Sequence, residues 1–384
     1  MLAKKMTTIA SLAFACGALF FAAFIASSAL AKQDFTAFWS AAHLVSKNPY
    51  SLPLVTAFER SRGILSPNPA IVMKNPPWTL LFLLPLSAFN YGVAFASWTV
   101  FEVVAILGCA RAIWNLYIPS SSPPIFLPLC FGPTVVLLML GQLDALVLVG
   151  ITLFLVMVER RHDWGAGAST LLILTKPHVV VLFLLALALW TIQSRRWTIL
   201  WASLLAIASS SIAVLAINPR IFAEFLERTR EYGAETQRYP NLGGIIDRLH
   251  GTHILGFLPM LIGLVWLLAF WRKHRFDWDW KKEGMTVLIL SVVCSYYSFP
   301  HDEILVLPAL IAAFATGNRR IFLLCFIATN LGYAIYLSNG AGHFRLTYMF
   351  LAWTASGWLL TFFFALKFRP REQTTVLLKS AFEA

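Results

Sequence analysis

Residues 165–193 read GAGASTLLILTKPHVVVLFLLALALWTIQ, closed off by Arg160 and Arg161 before and by Arg195 and Arg196 after. The length and oiliness are those of a segment that crosses a bilayer, which takes about 20 apolar residues. Yet Thr175-Lys176-Pro177-His178 interrupts it near the middle. The proline removes a helical hydrogen bond, and a cation at membrane depth is costly unless it faces a partner or a wet cavity. Basic pairs at both ends put both ends on the same, cytoplasmic side. The stretch therefore predicts short helices or a re-entrant hairpin whose broken backbone lines a cavity.

The pattern around it repeats along the chain. Further apolar runs lie at about 7–31, 77–90, 91–113, 124–140, 142–158, 197–217, 254–271, 284–299, 301–316, 319–337 and 346–368. The 384 residues are 59% hydrophobic and 12% charged, with a mean hydropathy of +0.72. Soluble domains carry about twice that share of charge, so a water-soluble globule, a disordered chain and a fibrous chain are excluded. The net charge of +12 is not a nucleic-acid footprint, which gathers Lys and Arg on one solvated face. Here the cations sit in short clusters between apolar runs. Cys16, Cys109, Cys130, Cys294 and Cys325 all fall inside apolar runs with no CxxC pair, and read as small core residues.

The clusters Lys4/Lys5, Arg160/Arg161, Arg195/Arg196, Arg272 to Lys282, Arg319/Arg320 and Lys367 to Lys379 hold 17 of the 30 Lys and Arg. Placing them inside yields one topology, with both termini cytoplasmic and the polar segments 31–76, 218–253 and 338–345 outside. The first run, Thr7 to Ala31, has a signal-peptide look, with Ala29-Leu30-Ala31 as a cleavage site. It is also long enough to span, and a retained first helix is expected. The runs 124–140 and 165–193 fit the alternation awkwardly. The expected architecture is an all-α polytopic membrane protein of ten to thirteen membrane segments, folded as a single integral-membrane domain over 1–384. It carries no visible internal repeat.

Several polar groups stand out against this background. Asp34 precedes a helical stripe of Phe35, Phe38, Trp39 and Ala42. It is placed to cap that helix, and a helix lying on the outer leaflet would account for the aromatics. Asn75-Pro76-Pro77-Trp78 reads as a stiff entry turn with an amide beside it. Gly141-Gln142-Leu143-Asp144 is a flexible polar break between two apolar runs, either a surface turn or a wet place at depth. Lys176 demands an anionic partner, for which a bound phosphate and Glu102, mid-span in its own run, are the candidates. His178 lies two residues beyond it. His301-Asp302-Glu303 sits at the outer end of two spans, as a site or as a solvated turn. Arg345 opens the last span from outside, to steer an anionic head group or to anchor the helix. Segment 218–253 reads as an amphipathic helix followed by a turn at Pro240 to Gly244. No Walker loop, no GxGxxG after a strand and no HExxH is present, so a reaction here needs a membrane-borne or extracytoplasmic donor.

The order of these motifs resembles that of glycosyltransferase family 87, the polyprenol-phosphate-sugar-dependent transferases. The matching residues are Asp34-Phe35 with Phe38-Trp39 and Ala41-Ala42, Asn48-Pro49-Tyr50, Asn75-Pro76-Pro77 with Pro85, Gly141-Gln142, Lys176-Pro177 and His301, over about residues 30–310. Lys47-Asn48 stands where relatives commonly have glycine. The resemblance implies a GT-C helical bundle with an extracytoplasmic active site, and an aspartate of the first outer loop, here Asp34, as general base. It implies a polyprenyl-phosphate sugar donor and a lipid or glycan acceptor, and an inner-membrane location among membrane lipids. Asn75, Gln142, Lys176, His178, His301, Asp302 and Arg345 are the expected substrate-binding residues. No obligatory metal or other cofactor is expected. A secondary transporter or lipid flippase relaying charge through Glu102, Asp144 and Lys176 is the rival class, and a non-catalytic partner in envelope assembly is a third.

Overall fold

The computed structural model describes residues 33–64, 70–232, 240–250, 254–338 and 351–369. Arg345, Cys16 and the first apolar run lie outside them. Every regular element among the described residues is helical. Four helices are long and apolar enough to cross a membrane: Tyr91–Tyr117, Trp197–Ile217, Leu255–His274 and Arg319–Leu337. A fifth span arises if Asp163–Ile173 and Pro177–Gln193, bent by 118° at Leu174 to Lys176, count as one. The chain is a helical polytopic membrane protein, as expected. Among the described residues the remaining apolar runs form shorter helices. Run 77–90 becomes a chain of short turns over Pro77–Ala88 around Pro85. Run 124–140 becomes Phe126–Leu129 and Gly132–Leu140. The spans keep large apolar side chains such as Val104, Trp201, Ile212, Val265 and Leu324 exposed, which is the surface lipid tails cover in a membrane.

The chain forms two compact units whose segments interleave in sequence. The first takes residues up to Gly108, Pro128–Pro177 and Thr191–Gln237; the second takes Cys109–Leu127, His178–Trp190 and Arg238 onward. In the first unit, Asp144–Glu159, Asp163–Ile173 and Trp197–Ile217 pack closely because glycines let their backbones meet. A Cβ on Gly150 would lie 2.8 Å from the Ile173 nitrogen, and one on Gly167 would run into the Ile199 carbonyl. This is how helices pack where no water drives them together. His162 accepts the Gly165 N–H at the start of its helix, and Asp163 pairs with Arg196.

Helix Gln33–Leu44 begins one residue before Asp34, so Asp34 lies in its first turn instead of ahead of it. Its stripe is buried as expected, but so is everything else from Phe35 to Ala42. It is not a helix lying on a leaflet. Phe35, Phe38 and Trp39 form a core with Leu80, Leu83, Trp98, Leu143 and Leu146. The aromatics serve protein packing where the sequence pattern also allowed lipid. The Pro240 to Gly244 turn is likewise corrected: helix Leu242–His250 starts inside it, with the Asn241 side chain accepting the Gly244 N–H in the manner of an N-cap.

In the second unit, Asn241 also donates to the Ser295 and Tyr296 carbonyls. Ser291 Oγ accepts the Leu182 N–H at 3.0 Å, serving a donor left over in the first turn of Val181–Gln193. Trp280 packs edge-on against Phe183, Trp190 and Trp278. The four described cysteines, Cys109, Cys130, Cys294 and Cys325, form no disulfide with one another.

Candidate active site

Helix Gly132–Leu140 ends at Gly141, whose φ of +64° is left-handed and whose missing Cβ would lie 2.8 Å from the Cβ of Phe35. No other residue fits there without moving the Asp34 helix. The close approach places the next residue against Asp34: Gln142 Nε2 donates to Asp34 Oδ2 at 2.8 Å. Leu143 is fully buried and pins the turn, and Asp144 opens the following helix. Asp144 Oδ2 accepts from Lys176 Nζ at 3.0 Å, with both groups buried. The segment Gly141 to Asp144 thus fixes one side chain on Asp34 and another on Lys176.

A second set of contacts fixes the Lys176 bend. Asn75 Nδ2 donates to the Thr175 carbonyl at 2.9 Å and Trp78 Nε1 to the Leu174 carbonyl at 3.2 Å. These carbonyls belong to the bend and lack the partners an unbroken helix would give them. Tyr50 donates its hydroxyl to the Asn75 carbonyl at 2.9 Å. Burial, and then the charge of Glu224, hold the Tyr50 phenol well above its ordinary pKa, so it stays a donor at neutral pH. Pro76 and Pro77 stiffen the segment that carries Asn75.

The anionic partner of Lys176 is therefore Asp144 and not Glu102. Glu102 is fully buried in its span and makes no ion pair among the described residues. Asp144 is no surface turn either, being completely buried. Of the three groups of the relay reading, only two meet.

In the second unit, His178 sets its ring edge-on to Tyr297 with centroids 4.8 Å apart. His301 and Asp302 are buried side by side, with Nε2 and Oδ1 3.6 Å apart, and Asp302 Oδ2 accepts the Phe299 N–H at 2.6 Å. Glu303 is buried too, so 301–303 is not a solvated turn. Its Oε2 accepts from Trp358 Nε1 at 2.8 Å and lies 2.7 Å from the Tyr333 hydroxyl, and its Oε1 accepts from Thr354 at 2.8 Å. No sequence signal singles out Tyr333, Thr354 or Trp358, because each is ordinary in a span. Tyr50 and Trp78 stand inside the motifs Asn48-Pro49-Tyr50 and Asn75-Pro76-Pro77-Trp78, which give neither of them a role of its own.

The family model of glycosyltransferase family 87 matches residues 74–299, more than half of the chain. The chain belongs to glycosyltransferase family 87. No curated protein and no solved structure matches it. The family-87 match takes in Asn75, Gln142, Asp144, Lys176 and His178. It starts after Asp34 and ends before His301, Asp302 and Arg345. Family membership makes this polytopic protein a membrane glycosyltransferase.

Proposed function

We propose that this family-87 protein transfers a hexose, most simply mannose, from a polyprenyl phosphate to a lipid or glycan acceptor at the extracytoplasmic face of the inner membrane. The observation that carries the reading is the Gln142 amide on Asp34, held by a turn whose other end holds the Asp144–Lys176 pair. Asp34 Oδ2 accepts one amide hydrogen bond, which orients the carboxylate. In the reaction Asp34 takes the proton of the acceptor hydroxyl as that oxygen attacks the anomeric carbon. The bond from that carbon to the phosphate oxygen breaks on the opposite face, so configuration inverts and the electron pair leaves with the polyprenyl phosphate. Lys176 supplies positive charge for the departing phosphate, and Asp144 sets its position. Asn75 acts through the bend it holds. His178, His301, Asp302 and Arg345 are assigned to the donor's phosphate and sugar.

The test uses purified protein in nanodiscs with radiolabelled polyprenyl-phosphate mannose and a membrane-lipid extract. Labelled lipid from the wild type and none from Asp34→Asn, with the variant folded, is the expected result. Equal product from both removes Asp34 as the base. Product from neither, with no donor bound, removes the polyprenyl-phosphate reading.

A further inference from the structure

Residues 294–301 come after helix Met285–Val293 and contain no helix of their own, yet their backbone is held from several directions. Asn241 Nδ2 lies within hydrogen-bond reach of the Ser295 and Tyr296 carbonyls and of Ser298 Oγ. Ser295 Oγ lies between the carbonyls of Tyr297 and His178, at 2.9 and 3.2 Å. Asp302 takes the Phe299 N–H, and the Tyr333 hydroxyl lies 3.1 Å from the Pro300 carbonyl. Buried irregular backbone needs its polar groups satisfied by the protein, and here buried side chains do so.

This rigid segment displays a row of rings. His178 meets Tyr297 edge-on at 4.8 Å, Tyr297 meets Phe299 edge-on at 5.4 Å, and Phe299 stacks on His301 at 5.5 Å and 14°. His178, Tyr297 and Phe299 keep part of their surface exposed while the serines and the proline between them are buried. Tyr296 points its ring elsewhere, stacked on Phe257 at 3.7 Å. The row thus combines aromatic faces with a phenol hydroxyl and imidazole nitrogens at their edges. A pyranose has the complementary make-up: a patch of C–H bonds that lies on a ring, rimmed by hydroxyls that need hydrogen-bond partners. An isoprenoid chain has the first property and lacks the second.

We propose that His178, Tyr297 and Phe299 form a pyranose-binding surface of this protein. The assignment rests on the glycosyltransferase reading and deepens it, since the sugar is either the donor's hexose or a residue of a glycan acceptor. Loss of one ring from this surface weakens sugar binding by up to roughly tenfold, about 1.4 kcal/mol.

The experiment measures equilibrium binding to the full chain in nanodiscs of three probes: polyprenyl-phosphate mannose, polyprenyl phosphate without sugar, and a soluble mannose oligosaccharide. The proteins are wild type, Tyr297→Leu, Phe299→Leu and, as a neighbouring control, Tyr296→Leu. If the row holds the donor's sugar, Tyr297→Leu and Phe299→Leu lose several-fold to tenfold affinity for polyprenyl-phosphate mannose alone. If it holds an acceptor's sugar, they lose it for the oligosaccharide alone. Either result supports the surface, and Tyr296→Leu shows neither. Equal losses for the sugar-bearing and sugar-free lipids, or no loss for any probe, overturn it while leaving the donor reading intact. A wild type that binds none of the three overturns both.

Discussion

Replacing Gly141 by alanine tests the geometry on which the catalytic reading depends. Two separate costs apply. The residue sits at φ +64°, where an L side chain costs about 1–2 kcal/mol. The new methyl would lie 2.8 Å from Phe35 Cβ and 3.3 Å from two of its ring carbons. No rotamer relieves a Cβ–Cβ clash, so a helix must shift, at about 1–3 kcal/mol for overpacking. The sum is about 2–5 kcal/mol. Gly63 separates the two terms, because it has φ +67° and nothing within 4 Å of where its Cβ would be. Gly63→Ala should cost only the strain, and the difference between the variants is the contact with Phe35. Since Phe35 adjoins Asp34, the shift that relieves the clash also pulls Asp34 from Gln142. A hydrogen bond to a charged group is worth about 1.5–3 kcal/mol, so Gly141→Ala should lose transfer about ten- to a hundredfold and Gly63→Ala should not. The assay is equilibrium unfolding in mixed micelles alongside the rate of transfer in nanodiscs. Equal stability losses in the two glycine variants, or full activity in Gly141→Ala, would refute the reasoning.

The Asp144–Lys176 pair gives a second test. Asp144→Leu or Lys176→Met alone removes one half of a buried ion pair and should cost about 3–5 kcal/mol, while the double variant recovers most of that stability and stays inactive. Recovery of transfer in the double variant would show that the Lys176 charge has no part in the chemistry. Glu303 gives a third. In Glu303→Leu the Tyr333 and Thr354 hydroxyls can turn to the Pro300 and Leu351 carbonyls, at 3.1 and 2.7 Å, but the Trp358 N–H is left buried at a cost of about 1–3 kcal/mol. Glu303→Gln keeps an acceptor for it and should be milder, as unfolding in micelles would show; equal losses would contradict the network.

The helical membrane architecture was legible in composition and in the spacing of basic clusters, because both derive from the bilayer as solvent. The break at Lys176 was legible for the same reason: a proline and a cation cannot continue an apolar span at no cost. Partners were harder to read. Lys176 announced that it needed an anion, and Glu102 and Asp144 both lie in apolar surroundings. Which of them it meets depends on how Gly150 seats two helices, and no local pattern encodes that. The aromatics of the Asp34 helix misled in another way, since an interfacial helix and a wholly buried one share the same stripe and differ only at Thr36, Ala37, Ser40 and Ala41. These are small residues that fit either environment. Tyr50, Trp78 and the three donors to Glu303 act through neighbours 25 to 96 residues away, which puts them beyond any sequence window.

The interleaving of the two units has a consequence for how the protein is made. Cys109–Leu127 and His178–Trp190 leave the ribosome well before the residues from Arg238 onward, with which they share a unit. At synthesis rates of about 5–20 residues per second, they reach the membrane before the later residues of their own unit have been made. A chain stalled near residue 237 holds one finished unit and two stranded pieces of the other. In that state the Leu182 N–H still lacks Ser291, which accepts it in the finished fold, and gene fragments cut at any single point leave at least one unit incomplete.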